Sequence, residues 1–177
     1  MKNFKKLNNI IGWAVFLIAT FVYLATMEKT ASLWDCGEFI SAAYKLEVVH
    51  APGAPFFLMM GRIFTLFATD ITQVAVMVNS MSALASSFTI LFLFWTITAF
   101  GRKIYFKNGK IEKSKIYAIL GAGVVGSLAY TFSDSFWFSA VEGEVYALSS
   151  FFTAVTFWCI MKWEEVADSP QSSKWLV

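Results

Sequence analysis

Residues Ile71 to Gly101 run for thirty-one positions without a charged side chain, and Ile10 to Met27 run for eighteen. These two stretches constrain the fold more than any other feature. Eighteen helical residues rise about 27 Å, close to the thickness of a bilayer's hydrocarbon core. The remaining sequence agrees with a membrane setting. Charged residues make up 15% of the chain, against about 25% in a soluble domain. Nineteen Phe and seven Trp exceed what one small soluble core can hide. The expected fold class is therefore all-α: a polytopic transmembrane helical protein, one membrane domain over residues 1–177.

Charge sets the expected topology. Lys2, Lys5 and Lys6 precede the first span, residues 10–27, and place its start in the cytoplasm. A signal peptide is the rival reading of this segment. Its apolar run is longer than a typical signal core, and Ala25-Thr26-Met27 is not a small-x-small cleavage site, which favours an uncleaved anchor. Residues 28–70 form an outer loop, and 74–100 a second span with an interfacial lead-in. Arg102, Lys103, Lys107, Lys110, Lys113 and Lys115 stand against Glu112 alone, so loop 102–115 belongs in the cytoplasm, with Asn108-Gly109 as its turn. These bases sit between apolar spans, so the chain has no nucleic-acid partner. The third span is 116–133, residues 134–144 return outside, and 145–161 is the fourth span. Lys174-Trp175-Leu176-Val177 reads as the opening of a further apolar segment.

Small residues mark where helices meet. Asn79, Ser80, Ser82, Ala83, Ala85, Ser86 and Ser87 would let α-helices approach closely, as would Gly121, Gly123 and Gly126. The last three also spell GxGxxG, but without the strand–turn–helix setting a dinucleotide site needs. Cys36 and Cys159 fall at different depths and are read as small buried residues, not a disulfide.

The outer loop is where chemistry concentrates. Ser32 to about Val49 is expected to form an amphipathic interfacial helix, with Ser32 as its cap. Asp35 and Glu38, one turn apart, share a face of it. Pro52 and Pro55 end that element, and Phe56 to Ala68 reads as an in-plane or re-entrant helix. A carboxylate such as Asp35 can take the proton of an attacking hydroxyl. Two carboxylates can also shift one another's pKa or hold a divalent cation. Lys45, His50 or Arg62 could neutralise a phosphate on the leaving side. Glu142 and Glu144, from the second outer loop, are further candidates for substrate contact, or pair with Lys45 or Arg62. Phe136, Trp137 and Phe138 read as an interfacial aromatic belt.

Several of these stretches resemble a known family. Trp34-Asp35-Cys36-Gly37-Glu38-Phe39, then Val49-His50-Ala51-Pro52-Gly53-Ala54-Pro55 and Gly61-Arg62, are similar to the amino-terminal part of the DUF2723 family. Phe136-Trp137-Phe138-Ser139-Ala140-Val141-Glu142-Gly143-Glu144-Val145-Tyr146 looks like a second block of it. That family is related to the protein O-mannosyltransferases, membrane glycosyltransferases of the GT-C fold. The resemblance covers nearly the whole chain and the amino-terminal part of such an enzyme. It implies a polyprenyl-phosphate sugar donor, a protein, glycan or lipid acceptor, and an acidic active-site residue in the first outer loop. On that basis Asp35 would be the catalytic base, with Glu38 supporting it. The His50-Ala51-Pro52-Gly53 run resembles a His-Pro-Pro segment of O-mannosyltransferases, with Ala51 in place of the first proline. The resemblance implies no fixed metal, since GT-C members differ in this. The implied home is a bacterial cytoplasmic membrane, with the site on the periplasmic face. The opposing readings are a noncatalytic scaffold subunit and a transporter. A transporter would place ionisable groups near the midplane of its spans, and spans one, three and four have none.

Overall fold

The computed structural model describes residues 2–51, 53–105, 112–170 and 172–175. Pro52, Lys107, the Asn108-Gly109 turn, Lys110, Leu176 and Val177 lie outside the described residues. Helices are α1 (Lys2–Thr26), α2 (Cys36–Lys45), α3 (Pro55–Thr65), α4 (Val74–Tyr105), α5 (Lys113–Thr131), α6 (Asp134–Ala140) and α7 (Val145–Glu164). Short 3-10 turns cover Ile71–Gln73 and Ser172–Trp175. Among the described residues there is no strand, and the architecture is all-α. Three helices among the described residues are long and apolar enough to cross a membrane: Asn3–Thr26, Ile71–Tyr105 with its lead-in, and Val145–Glu164. α5 and α6 meet that standard only together, as a pair bent by 68° at a short break.

The bundle is built around α4, which packs against α1, α5 and α7 along its length and against α2, α3 and α6 near its start. Its first half explains this. Asn79, Ser82, Ala83, Ser86 and Ser87 are wholly buried, so neighbouring backbones come close. Larger side chains, Ile90, Leu91 and Phe94, fill the space further along. The reading of the α5 glycines divides. A Cβ on Gly123 would lie 2.7 Å from Thr98 Cγ2 and 2.8 Å from a Phe94 ring carbon. Gly121 faces open space, so it does not belong to that contact surface.

One end of the bundle carries α2, α3 and α6. Tyr23 Oη donates to the Thr131 carbonyl at 3.0 Å, and Glu28 N–H donates to the Val141 carbonyl at 3.0 Å. Asn79 donates from its amide to the carbonyls of Glu28 at 2.8 Å and Thr30 at 3.2 Å. These bonds hold the loop after α1 down on the core. The aromatic-belt reading of 136–138 needs correction. Phe136 is buried and stacks on Tyr130, and Trp137 packs edge-on against Tyr23, leaving Phe138 exposed. With α6 bent by 68° from α5, Phe136 joins the core and Trp137 packs against it, half-buried.

The opposite end is cross-linked by charge. Arg102 pairs with Glu165, Lys103 with Glu164, and Lys162 with Glu165 at 3.1 Å.

Candidate functional site

The first outer segment folds differently from its sequence reading. α2 begins at Cys36 and ends at Lys45, not Ser32 to Val49. Two residues set these limits. Trp34 adopts a left-handed conformation (φ 65°) that breaks any helix upstream, and Leu46 (φ 56°) ends the helix as a left-handed cap. Ser32 is not the cap, since its hydroxyl donates to Glu142 instead. Asp35 takes the N-cap position, and its side chain makes no capping bond.

The inward face of α2 is Cys36, Phe39, Ile40, Ala42 and Ala43. It packs on α3, where Pro55 occupies the first turn and needs no N–H partner. The contact is tight: a Cβ on Gly61 would sit 2.8 Å from that of Ala43. Phe39 meets Phe57 edge-on at 5.4 Å and the His50 ring at 6.0 Å. Packing on one face therefore fixes which side chains of α2 point outward.

Asp35, Glu38 and His50 come together there. One ligand atom from each lies within 4.8 Å of the others, and all three are exposed. Glu38 is fully engaged. It accepts from the His50 backbone N–H at 2.7 Å, and its other oxygen lies 2.8 Å from His50 Nδ1. The bond to the His50 ring, then that to its backbone, hold the Glu38 carboxyl below its usual range. In return the bond to Glu38 and its charge push the imidazole up. The Asp35 carboxylate accepts no hydrogen bond from any described residue. It is the free acid of the cluster.

Beneath this layer lies a second pair of acids. Glu142 and Glu144 are 4% and 7% exposed, and the expected pairing with Lys45 or Arg62 does not form, since Lys45 pairs with Glu47 and Arg62 bonds the Tyr44 carbonyl. The α6–α7 connection carries them under α2, away from Lys45 and Arg62. Glu142 accepts from Ser32, and Glu144 lies 3.7 Å from Cys36 Sγ and caps α7 through Val145 N–H at 3.3 Å. Burial, with Asp35 and Glu142 adding their charge, pushes the Glu144 carboxyl up. Burial likewise pushes the Cys36 thiol up to about 12. Cys36 is thus a buried, inert neighbour of the acids and, like Cys159, a free thiol. Sequence reasoning missed Ser32 and Cys36 as partners of the second acid pair, because nothing in their spacing links residues more than a hundred positions apart.

Lys45 and Arg62 are not brought to the cluster. They sit near the far end of α2, about 15 Å along its axis. Lys45 pairs with Glu47 at 3.8 Å. Arg62 donates to the Tyr44 carbonyl at 2.7 Å and lies over the Tyr44 ring at 5.5 Å. A cavity of about 370 Å³ lies between the segment after α2 (Leu46, Glu47, Val48) and the start of α3 (Pro55, Leu58, Met59).

These features define a class: a polytopic helical membrane protein bearing a two-layer carboxylate cluster on short helices at one end of its spans. The chain matches, over residues 35–177, the family described as the protein O-mannosyl-transferase TMEM260 N-terminal domain, and it belongs to that family. It is similar to protein O-mannosyl-transferase tmem260 of Dictyostelium discoideum, 25% identical over 142 residues, which cover 80% of this chain and 15% of that protein. It is also similar to protein O-mannosyl-transferase TMEM260 of Mus musculus, 28% identical over 162 residues, 91% of this chain and 20% of that protein. The chain thus spans a fifth or less of the length of these curated relatives. No solved structure matches it.

Proposed function

We propose that this chain is the amino-terminal membrane part of a glycosyltransferase that moves a sugar from a polyprenyl-phosphate donor to an acceptor hydroxyl, in the manner of protein O-mannosylation. The observation that carries this reading is the exposed carboxylate of Asp35 beside the hydrogen-bonded Glu38–His50 pair. Asp35 takes the proton as the acceptor oxygen attacks the anomeric carbon. The bond from that carbon to the phosphate oxygen breaks, and the phosphate leaves with the electron pair. His50, whose basicity the bond to Glu38 raises, offers positive charge to that phosphate in its protonated form. Asp35, Glu38 and His50 also form a mixed oxygen–nitrogen donor set that fits a divalent cation, which would supply the same charge neutralisation. The kinship with proteins named O-mannosyl-transferases supports mannose as the sugar and a protein hydroxyl as the acceptor. The DUF2723 and GT-C resemblance supports the lipid-linked donor.

The positive-inside rule supports an orientation in which Lys5, Lys6, Arg102, Lys103, Lys113 and Lys115 face the cytoplasm. The carboxylate cluster then opens on the far side, the periplasmic face if the membrane is a bacterial inner one. The two named relatives are eukaryotic, so they do not specify that membrane.

The donor class is tested by supplying the parent protein, in lipid, with mannose on a polyprenyl phosphate or on a nucleotide. Transfer to a hydroxyl-bearing peptide from the lipid-linked sugar alone is expected. Transfer from the nucleotide sugar alone would overturn the reading.

A further inference from the structure

We propose that the cavity at the basic end of the bundle binds the phosphate-bearing headgroup of an anionic glycerophospholipid. This cavity, of about 390 Å³, lies between α1, α4 and α7. It is some 42 Å along α4 from the helix start that carries the carboxylate cluster, counting from Val74 to Arg102. Its wall brings together Lys5, Arg102 and Lys162. Arg102 and Lys162 share a single acid, Glu165, and Lys5 has no acidic partner among the described residues. Three cations against one carboxylate leave two positive charges on the rim. An anion compensates that excess, and a phosphate diester accepts hydrogen bonds from several such donors at once.

The rest of the wall points to a lipid. Trp13, Trp95 and Trp158 line the cavity on its membrane side, and Trp13 is 46% exposed. Indoles beside a basic rim, at the end of helices long enough to cross a bilayer, match the headgroup–glycerol boundary of a phospholipid. Asn8, also on the wall, holds its buried side-chain oxygen without a partner among the described residues. A buried acceptor without a donor costs stability, and a headgroup hydroxyl supplies one. Phosphate, a hydroxyl donor and an apolar body occur together in phosphatidylglycerol. A zwitterionic lipid brings a cation that the rim repels.

The test uses the purified chain in detergent, titrated with phosphatidylglycerol, phosphatidylcholine or inorganic phosphate, and read by tryptophan fluorescence and native mass spectrometry. Phosphatidylglycerol is expected to bind about tenfold more tightly than phosphatidylcholine, and Lys5→Glu to weaken it by about fivefold or more, as loss of one basic residue near an anionic headgroup predicts. Asn8→Leu should weaken it as well. Lys5 is exposed and has no ion pair among the described residues, so Lys5→Glu should keep the wild-type helix content and melting in lipid-free detergent. Equal binding of the two lipids, or unchanged binding by Lys5→Glu, would overturn the proposal. So would inorganic phosphate displacing the lipid at equal concentration, which would mark a free-anion site.

Discussion

His50 grips Glu38 twice: its backbone N–H donates to one carboxylate oxygen at 2.7 Å, and its ring Nδ1 lies 2.8 Å from the other. Twelve residues separate the two, so the contact closes the loop after α2 back onto the first turn of that helix. It leaves Asp35 as the free acid.

This pair sets a pH dependence. His50 is raised from 6.5, so its contribution is complete below that value and is lost as pH rises through the raised pKa. Glu38 is lowered from 4.5, so its contribution is complete above that value and is lost as pH falls through the lowered pKa. The pair is therefore strongest from about pH 4.5 to 6.5. An NMR titration of the single histidine should give a pKa above 6.5, returning towards 6.5 in Glu38→Gln. A wild-type value at or below 6.5 would contradict the contact.

The buried Glu144 responds with the sign opposite to that of Glu38. Glu144 is raised from 4.5, so the fold disfavours its charged form. Stability should fall as pH climbs from 4.5 through that raised pKa, and Glu144→Gln should flatten the slope. Ser32→Ala takes the hydroxyl donor from Glu142 and should cost about 1–3 kcal/mol. Melting in detergent across pH checks both. A slope that survives in Glu144→Gln assigns it to another group.

Gly121 and Gly123 separate one sequence motif into two behaviours. Gly123→Ala drives a Cβ into Thr98 and Phe94 and should destabilise by about 1–3 kcal/mol. Gly121→Ala meets nothing and should be neutral or stabilising by up to about 1 kcal/mol. Equal melting of the two variants would argue against the α4–α5 contact.

Trp34 is 87% exposed and left-handed, next to the free carboxylate. A left-handed conformation costs a non-glycine residue about 1–2 kcal/mol. Trp34→Gly should therefore melt no lower than wild type. If the indole serves as a platform for the sugar, transfer should fall at the same time. A lower melting temperature would show that the ring is needed for folding.

Much of this was legible in the sequence, and the rest was hidden for identifiable reasons. Charge-free runs disclosed α1, α4 and α7, because the membrane requirement acts on composition. The Asp35–Glu38 pairing was readable from helical spacing; the turn at His50, closed by Gly53 N–H on the His50 carbonyl at 2.8 Å, was not. The start of α2 was not, because Ser32 finds its partner in Glu142, 110 residues away. The fate of Glu142 and Glu144 was hidden for the same reason. No local pattern shows that the α6–α7 connection runs beneath α2. The division between Gly121 and Gly123 likewise depends on which side of α5 faces α4, and a small-residue motif does not encode that.

The measurement that bears most directly on the central claim is sugar transfer from a polyprenyl-phosphate donor by the parent protein in lipid, with wild type beside folded Asp35→Asn. Asp35 makes no side-chain contact that folding needs, so the variant should melt like wild type. The account predicts that its transfer is abolished while Glu38→Gln retains part of the activity. Wild-type turnover by folded Asp35→Asn would contradict the account and remove Asp35 as the base.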